Sequence, residues 1–261
     1  MMKNRNLIVL TGSTSGIGKF TSNNLKKEFD LLHIVRPEKY SVIKKNLASQ
    51  NNKNSFVLSY NLKKKLNTNN LRKLIKFKNY KNIHLIFFAG KLDVNPNKFD
   101  FNDWQETFNV NLFSHLSILN FFLPYILSTR VISKVIFFSG GGAANSFPAF
   151  PAYSASKTAL VRTVENLGEI YSKSKVNIFA VAPGAVKTKM LKKVLKQTRV
   201  GTKSKIEDVS NFIINSINSN TKSFHGRLIN IKDSKKKIYK NTFNNYLKLR
   251  RVDEYIFNRD G

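Results

Sequence analysis

The chain has 261 residues, 41% of them hydrophobic, which fits one large α/β domain with a sizeable core and excludes a disordered or fibrous protein. It contains no cysteine, which excludes disulfides, thiolate metal sites and a cysteine nucleophile and indicates a reducing compartment, the cytoplasm. The formal net charge of +30 comes from Lys and Arg residues spread along the whole chain. This even distribution argues against a nucleic-acid-binding arm. The positive charge itself is expected to attract anionic cofactors and substrates.

Two apolar stretches resemble export or membrane segments. Residues 7–10 form an apolar run after a basic start, but a signal sequence needs a longer run and a cleavage site. Residues 116–127 are interrupted by Asn120 and Pro124, and they fall short of the roughly 18–20 residues that span a bilayer. We therefore expect a cytoplasmic protein without a membrane segment.

Apolar runs of strand length alternate along the chain with longer segments of helical periodicity. The apolar runs lie at residues 7–10, 31–35, 56–58, 85–88, 135–138, 176–181 and 228–231. Helical periodicity lies at residues 24–29, 104–127, 152–171 and 209–217. Continuous apolar strands that alternate with helices predict a parallel sheet covered on both faces, which is an α/β, doubly wound, Rossmann-like single domain.

Residues 1–232 are expected to form this domain. From residue 233 to 261 the composition becomes basic, with aromatic and apolar residues at roughly helical spacing. We expect this segment to be a C-terminal extension that packs on the domain or on a second subunit.

The first strand leads directly into a glycine-rich turn and then into a helix. Glycines there permit a tight turn, let the backbone approach a pyrophosphate, and allow the helix to pack on the strand. The N-terminus of the helix offers free N–H groups and a positive dipole end to phosphate. The predicted dinucleotide site is formed by Gly12, Ser13, Thr14, Ser15, Gly16, Ile17 and Gly18.

The end of the second strand indicates which dinucleotide binds. NAD enzymes commonly carry an acidic residue there for the ribose 2′-hydroxyl, and NADP enzymes use an arginine for the 2′-phosphate. Arg36 follows the strand, and the first acidic residue after it is Glu38. A planar guanidinium pairs well with a phosphate, so the sequence favours NADP and leaves NAD as the alternative.

Tyr153 and Lys157 are four residues apart in a segment of helical periodicity, so they share a helix face. An unperturbed tyrosine has a pKa of about 10, which is too high for a base at neutral pH. A lysine ammonium one turn away favours the phenolate, and we expect it to lower the pKa of Tyr153 toward the working range. Such pairs are also common on exposed helices, so the pair alone does not establish catalysis.

Four motifs, in this order, resemble those of the short-chain dehydrogenase/reductase family in its compact single-domain branch. They are the turn at residues 11–18, Asn111 in Asn-Val-Asn-Leu, the Tyr153/Lys157 pair, and residues 183–188 after a strand. The resemblance covers residues 5–232 and implies a doubly wound sheet that binds a nicotinamide dinucleotide.

The resemblance also implies a role for each matching residue. Tyr153 is expected to be the general acid or base, and Lys157 is expected to hold the nicotinamide ribose as well. Asn111 is expected to anchor a proton relay. The residues expected to lie against the cofactor farther along the chain are Ala89, Gly90, Pro183, Gly184, Val186 and Thr188.

Three positions depart from the family pattern. The family's Asn-Asn-Ala-Gly after the fourth strand is Phe-Phe-Ala-Gly at residues 87–90, which keeps close backbone approach but loses the asparagine contacts. The family serine that orients the carbonyl corresponds by spacing to Gly140, so we assign its role to the preceding Ser139, with Ser146 as a lesser substitute. Asn61 stands where the family often has an aspartate that holds the adenine, and its oxygen can accept the same bond.

Two further features bear on the substrate. The glycines after Ser139 and the segment Leu-Arg-Arg-Val-Asp at residues 249–253 are similar to family members of cell-surface polysaccharide and nucleotide-sugar metabolism. In the region expected to cap the substrate, Lys189, Lys193 and Lys196 share one helical stripe. The stripe is either a solvated face or a site for an anionic substrate group.

The sequence therefore predicts an NADP-dependent oxidoreductase that transfers a hydride between the nicotinamide and a carbonyl or secondary alcohol of a small molecule. The alternative is a non-catalytic dinucleotide-binding protein with a regulatory or assembly role, and nucleic acid binding ranks below both. We expect a homodimer or homotetramer. The helices at 104–127 and 152–171 are apolar on more than one face, and family members pair through them.

Overall fold

The computed structural model describes residues 3–49, 54–64, 69, 71, 80–94, 98–200 and 203–232. The basic segment 233–261 lies outside the described residues, so its expected packing stays a prediction.

A seven-stranded sheet is the centre of the fold, and a two-stranded ladder of β7 with β8 lies beside it. The strands are β1 Lys3–Thr11, β2 Asp30–Val35, β3 Ser55–Ser59, β4 Tyr80–Phe87, β5 Ser133–Phe138, β6 Val176–Ala182, β7 Ala185–Val186, β8 Lys203–Ser204 and β9 Leu228–Asn230. Strands β2, β5 and β6 are buried along their whole length, which explains why most of their residues are apolar in the sequence.

The helices cover both faces of this sheet. Those with defined bounds in the described part of the chain are α1 Gly16–Leu25, α2 Pro37–Ser49, α3 Phe101–Phe108, α4 Ser114–Leu127, α5 Pro151–Ile170, α6 Lys189–Val194 and α7 Ile206–Asn218. A π-helical turn, Asn109–Phe113, joins α3 to α4, and a 3₁₀ turn, Gly141–Ala143, follows β5.

The strand order β3-β2-β1-β4-β5-β6-β9, with every neighbouring pair parallel, confirms the predicted doubly wound sheet. The chain runs outward from β1 to β3 and then returns to place β4 on the other side of β1. Strands β1 and β4 therefore border the point where the strand order reverses. In such sheets, ligands bind beyond the carboxyl ends of the strands at this point.

Two hydrophobic cores lie on opposite faces of the sheet. Leu7 and Val9 of β1 face the core that contains α4 and α5, whereas Ile8 and Leu10 face the core that contains α1 and α7. This alternation follows from the two-residue period of an extended strand. Both faces are apolar, so the sheet is held at a fixed position under the loops at its carboxyl edge.

Within the described residues, the longest helical span runs without a break from Phe101 to Leu127, and by length and composition it could cross a membrane. It is longer than the apolar run at 116–127 because α3, the π-helical turn and α4 are continuous. Half of its most apolar window is buried within the protein, and Ile118 and Phe122 are fully buried in the core with the sheet. These side chains are in the environment of a core helix.

Candidate active site

The glycine-rich turn between β1 and α1 lies against the segment that follows β4. Gly12 has a φ of +71°, in the left-handed region that favours glycine. A Cβ atom on Gly12 would lie 2.5 Å from the Ala89 backbone nitrogen, so no other residue fits without moving this segment. The predicted cofactor residues of the turn and of the segment at 89–90 are thus packed together at the switch point of the sheet.

The same turn also reaches the segment that follows β6. A Cβ atom on Gly16 would lie 3.2 Å from the Thr188 methyl carbon, which places this predicted cofactor residue beside the turn. The Thr188 hydroxyl oxygen accepts a hydrogen bond from the Leu191 N–H, 3.2 Å, and so caps α6. Between β6 and α6, Gly184 has a φ of +72° and Val186 is buried. The chain therefore turns sharply before it reaches Thr188.

One residue of the turn is held by a histidine that the sequence analysis did not single out. A hydrogen bond of 2.8 Å joins the Ser13 hydroxyl to Nδ1 of His33, a buried residue of β2. Burial lowers the pKa of His33 to about 4, so the ring is neutral at physiological pH. A polar residue inside a fully buried apolar strand was the signal that could have identified it.

The residues expected at the adenosine end lie at the carboxyl ends of β2 and β3. Arg36 is exposed, and its Nη1 atom lies 3.1 Å from Oε1 of Glu38. Asn61 is half-buried, and its side-chain oxygen accepts a hydrogen bond of 3.0 Å from the Lys63 N–H. The Arg36 guanidinium thus has an exposed partner that a ligand phosphate could replace, whereas the Asn61 oxygen already closes a local turn.

Tyr153 lies in the first turn of α5, and its hydroxyl points at the loop after β5. A Cβ atom on Gly140 would lie 2.5 Å from the Tyr153 hydroxyl oxygen. The ring is 9% exposed, and burial raises the pKa of the Tyr153 phenol to about 12. The phenol therefore keeps its proton at neutral pH.

Lys157 shares the inner face of α5 with Tyr153, as the spacing predicted. Its ammonium donates a hydrogen bond of 2.7 Å to the Phe138 carbonyl oxygen and lies 5.8 Å from the centroid of the Tyr153 ring. Burial lowers the pKa of Lys157 to about 7. The expected lowering of the pKa of Tyr153 by this lysine is absent, because burial disfavours the charged form of both groups.

Asn111 lies in the π-helical turn and is fully buried. Its side-chain nitrogen donates to the Lys91 carbonyl oxygen, 3.0 Å, and to the Ser156 hydroxyl, 2.8 Å. Its side-chain oxygen accepts from the Lys91 N–H, 2.7 Å. Asn111 thus connects the segment after β4 to the helix that carries Tyr153.

Gly90 leaves a space between these groups. A Cβ atom at this residue would lie 3.6 Å from Oδ1 of Asn111 and 3.8 Å from Nζ of Lys157. The absent side chain lets the Gly90 backbone approach both buried groups, with the Met190 methyl carbon also near, 3.5 Å from where a Cβ would stand. A lysine ammonium can donate hydrogen bonds to ribose hydroxyls, and a glycine keeps the backbone close beside it, so the chemistry of the residues present fits a nicotinamide nucleotide.

The structure places Gly140 against the Tyr153 hydroxyl. Gly140 is extended, with φ −171° and ψ 174°, and the Ser139 N–H continues the ladder to the Val181 carbonyl oxygen, 2.8 Å. Successive side chains on an extended backbone point to opposite sides, so Ser139 leaves the chain on the side away from the Gly140 position. The buried Ser139 hydroxyl has no hydrogen-bond partner within the described part of the chain. Ser146 is exposed.

An apolar cluster surrounds Tyr153. It contains Leu92, Ala149, Phe150, Val194 and, at its edge, Phe147, Met190 and Val200. The Phe147 ring meets the Tyr153 ring edge-on, with 6.3 Å between centroids. Helix α6 contributes Met190 and Val194 to this cluster, whereas its lysines are exposed. The cluster therefore forms an apolar and aromatic wall beside the phenol.

Two phenylalanines stand at the end of β4 where the family pattern has asparagines. Phe87 stacks on His115 of α4, with 4.7 Å between ring centroids, and Phe88 packs on Phe138 at 4.6 Å. Nε2 of His115 is 3.3 Å from the Thr11 hydroxyl, which also accepts from the Ala89 N–H. Burial, and to a lesser extent Lys157, lowers the pKa of His115 to about 3, so a neutral ring supports the base of the glycine-rich turn.

A glycine-rich turn at the switch point of a doubly wound sheet, beside a buried Tyr/Lys pair, defines the class of nicotinamide-dinucleotide-dependent oxidoreductases. A sequence model of the short chain dehydrogenase family matches residues 6–199 of the chain. The chain belongs to this family, and it is a dehydrogenase or reductase that acts on the alcohol or carbonyl group of a small molecule.

The chain is similar to several known proteins. It is 30% identical to an uncharacterized oxidoreductase of Schizosaccharomyces pombe over 189 residues, which are 70% of this chain and 72% of the relative. It is 30% identical to benzil reductase ((S)-benzoin forming) of Saccharomyces cerevisiae over 95 residues, 36% of each chain. A short chain dehydrogenase of Escherichia coli complexed with NADPH matches with a TM-score of 0.74 and 18% identity, over 88% of this chain and 98% of that chain.

Proposed function

We propose that this protein uses NADPH to reduce an apolar ketone or diketone of aromatic character. The observation that carries the proposal is the apolar cluster around Tyr153, whose partly buried members are Phe147, Met190 and Val200. Apolar side chains beside a reacting group favour apolar substrates, because burial of apolar surface supplies the binding energy.

In the proposed reaction, Tyr153 donates a proton to the carbonyl oxygen. The raised pKa of Tyr153, about 12, keeps its hydroxyl protonated across the physiological range, which suits a proton donor in the direction of reduction. Lys157, with a pKa lowered to about 7, can return a proton to the phenolate. The hydrogen bond from the Asn111 side chain to the Ser156 hydroxyl holds the π-helical turn against α5, the helix that carries Tyr153 and Lys157.

We infer that Gly140 takes the position from which a family serine would orient the carbonyl. A β-carbon there would lie 2.5 Å from the phenol oxygen, so the backbone at residue 140 packs directly against the proton donor and offers no side-chain hydroxyl. Orientation of the substrate then falls to Tyr153 and to the apolar wall. The assignment of this role to Ser139 stays a prediction that substitution can test.

For the cofactor we propose NADPH. The glycine-rich turn would hold the pyrophosphate, Thr188 would hold the carboxamide end, and Lys157 and Asn111 border the space left by Gly90 for the ribose. Arg36 would exchange Glu38 for the 2′-phosphate. When bound, the nicotinamide supplies the hydride. A structural neighbour of the same fold binds NADPH, which supports this preference.

For the substrate class, the benzil reductase of Saccharomyces cerevisiae gives independent support. Benzil is an apolar diketone with two aromatic rings, and an aromatic wall can stack on such rings. A nucleotide sugar or another anionic substrate stays a prediction. Lys189, Lys193 and Lys196 are all exposed, so an anion would have to bind on the outer face of α6.

The test is a comparison of carbonyl substrates with the purified protein. NADPH consumption should be rapid with benzil and near background with a nucleotide sugar of matched concentration. Tyr153→Phe should reduce the turnover by about 10²–10⁴-fold, the usual contribution of general acid catalysis, and leave NADPH affinity within a few-fold. No turnover of apolar ketones by a protein that binds NADPH would overturn the proposal.

One observation favours a second candidate function. Gly140 has no hydroxyl to offer, and the Ser139 hydroxyl is unpartnered within the described residues. A protein that binds the dinucleotide without catalysis, for regulation or assembly, would tolerate this arrangement. NADPH binding with no turnover across a panel of apolar and charged carbonyl compounds would support this function.

A further inference from the structure

We propose that Asp93 is a positioning residue for Tyr153, an inference that rests on the proposed role of Tyr153 as proton donor. The N-terminus of α5 lacks a cap of its own. The N-cap residue is Phe150, whose apolar side chain makes no cap hydrogen bond, and the first helical residue is Pro151, which has no N–H. The first N–H groups without a helical partner therefore belong to Ala152 and Tyr153.

Asp93 satisfies both of these groups from a distant part of the chain. Its Oδ2 atom accepts from the Ala152 N–H at 2.9 Å, and its Oδ1 atom accepts from the Tyr153 N–H at 2.8 Å. The carboxylate is only 7% exposed, so these bonds are little weakened by water. The negative charge also lies at the positive end of the dipole of a 20-residue helix, where it is stabilising.

The segment that carries Asp93 is itself fixed on both sides. The backbone of Lys91 forms two hydrogen bonds with the Asn111 side chain, 2.7 and 3.0 Å. The Val94 N–H donates to Oδ2 of Asp103, 2.6 Å, and the Lys91 ammonium pairs with the same carboxylate. Asp93 thus stands between anchored neighbours, and its position is set by α3 and by the π-helical turn.

The result is a rigid connection from Asn111 to Tyr153 through residues 91–94. Leu92 packs in the same apolar cluster as Tyr153, so the side chains on this segment and on α5 are in one packed unit. A shift of about 1 Å in a reacting group can cost on the order of 10²-fold in rate. Loss of the Asp93 bonds would let the first turn of α5 move, and with it the Tyr153 hydroxyl.

The experiment compares Asp93→Asn and Asp93→Ala with a matched pair, Asp100→Asn and Asp100→Ala. Asp100 uses the same chemistry to cap α3, accepting from the Asn102 and Asp103 N–H groups at 3.0 and 3.2 Å, but that helix does not carry Tyr153. Each variant is characterised by four measurements: kcat and KM with benzil, the dissociation constant for NADPH, and the midpoint of thermal unfolding. Amide hydrogen exchange of residues 152–156 is followed in parallel.

We expect Asp93→Ala to lower kcat by about 10- to 100-fold with NADPH affinity within two-fold, because the glycine-rich turn is untouched. Asp93→Asn keeps one acceptor oxygen and should show a smaller loss. The Asp100 variants should lower the unfolding midpoint and lower kcat less than the matched Asp93 variants, because Asp100 acts on residues 91–94 only indirectly, through Asp103 of α3. Exchange at Ala152 and Tyr153 should rise only in the Asp93 variants.

Equal kcat in the wild type and both Asp93 variants, with Tyr153→Phe inactive, would overturn this inference and leave the proposed function intact. If the wild type itself turns over no carbonyl compound, the proposed function has failed. Amide exchange then decides whether Asp93 holds the first turn of α5. Unchanged exchange at Ala152 and Tyr153 in Asp93→Ala would overturn the inference whatever the activity.

Discussion

Gly140 lies directly against the Tyr153 hydroxyl, so close that any β-carbon at residue 140 would be 2.5 Å from the phenol oxygen. The glycine is extended and needs no unusual backbone conformation, so the requirement for glycine comes from space alone. The size of residue 140 therefore determines whether the Tyr153 hydroxyl can keep its position.

Gly140→Ala should displace the Tyr153 ring and lower kcat by about 10-fold or more, because the phenol is the end of a rigid, buried side chain. Gly140→Ser adds the same bulk together with a hydroxyl, so it should recover part of the loss if a serine there can orient the carbonyl. Ser139→Ala should stay within about two-fold of the wild type, far from the 10²–10⁴-fold of a lost acid–base group. Steady-state kinetics of the three variants with benzil decides between residues 139 and 140.

Arg36→Asp should replace attraction for the 2′-phosphate with repulsion and shift the preference from NADPH toward NADH by a factor on the order of 10²–10³. The matched control is Glu38→Gln, which removes the ion pair that now holds Arg36 and should tighten NADPH binding slightly. Fluorescence titrations with both cofactors measure the two effects. A wild type that already binds NADH more tightly would contradict the assignment.

The stability of the protein without cofactor should rise with pH above neutrality, because of Lys157. Its pKa is about 7 in the folded protein against 10.5 in the unfolded chain. Between these values the unfolded state binds one more proton, so the free energy of unfolding rises by up to about 1.4 kcal/mol per pH unit. Lys134, with a pKa lowered to about 8, adds to the rise above that pH.

Lys157→Met should remove the Lys157 part of this slope, whereas the exposed Lys196→Met should keep the slope of the wild type. Urea unfolding at pH 7 and pH 9 measures the difference. Above pH 10 the sign reverses for Tyr153, whose pKa is raised, because the unfolded phenol then loses its proton before the folded one. Identical slopes in the wild type and Lys157→Met would rule out a neutral, buried lysine.

The oligomeric state is a separate prediction. Phe113, Leu127 and Ile170 are 52%, 41% and 68% exposed, and they belong to the helical span and to the helix through which family members pair. Equilibrium sedimentation should therefore give two or four times the chain mass of 29.9 kDa. Phe113→Glu should lower the mass without loss of folding, and a single 29.9 kDa species in the wild type at micromolar concentration would contradict the prediction.

The sequence predicted the sheet well, because buried parallel strands such as β2 and β5 are predominantly apolar runs. It did not predict α2, in which Val42 is exposed and the apolar face is weak. The Asp93 cap was missed because it acts across a long stretch of chain, although Phe150 and Pro151 at a helix start signal a missing local cap.

The pairing of Gly140 with Tyr153 also required the structure. Spacing alone did not decide whether residue 139 or residue 140 faces Tyr153. That choice depends on the direction of the Cα–Cβ bond at each residue, which only the backbone conformation gives. Likewise, the pKa of Tyr153 depends on burial, and the helical spacing of Tyr153 and Lys157 does not indicate how deeply either side chain is buried.

The π-helical turn Asn109–Phe113 lets the two α-helical parts of one long helix, α3 and α4, direct their side chains to different sides. Each residue of an α-helix advances the chain by about 100°, and a π-turn accommodates one residue more than an α-turn does. The inserted residue therefore resets the angular phase of α3 relative to α4. Helix α4 can turn Ile118 and Phe122 to the sheet while α3 turns Asp103 to the backbone of Val94. An uninterrupted α-helix of the same composition would keep one of these orientations and turn the other away by about 100°.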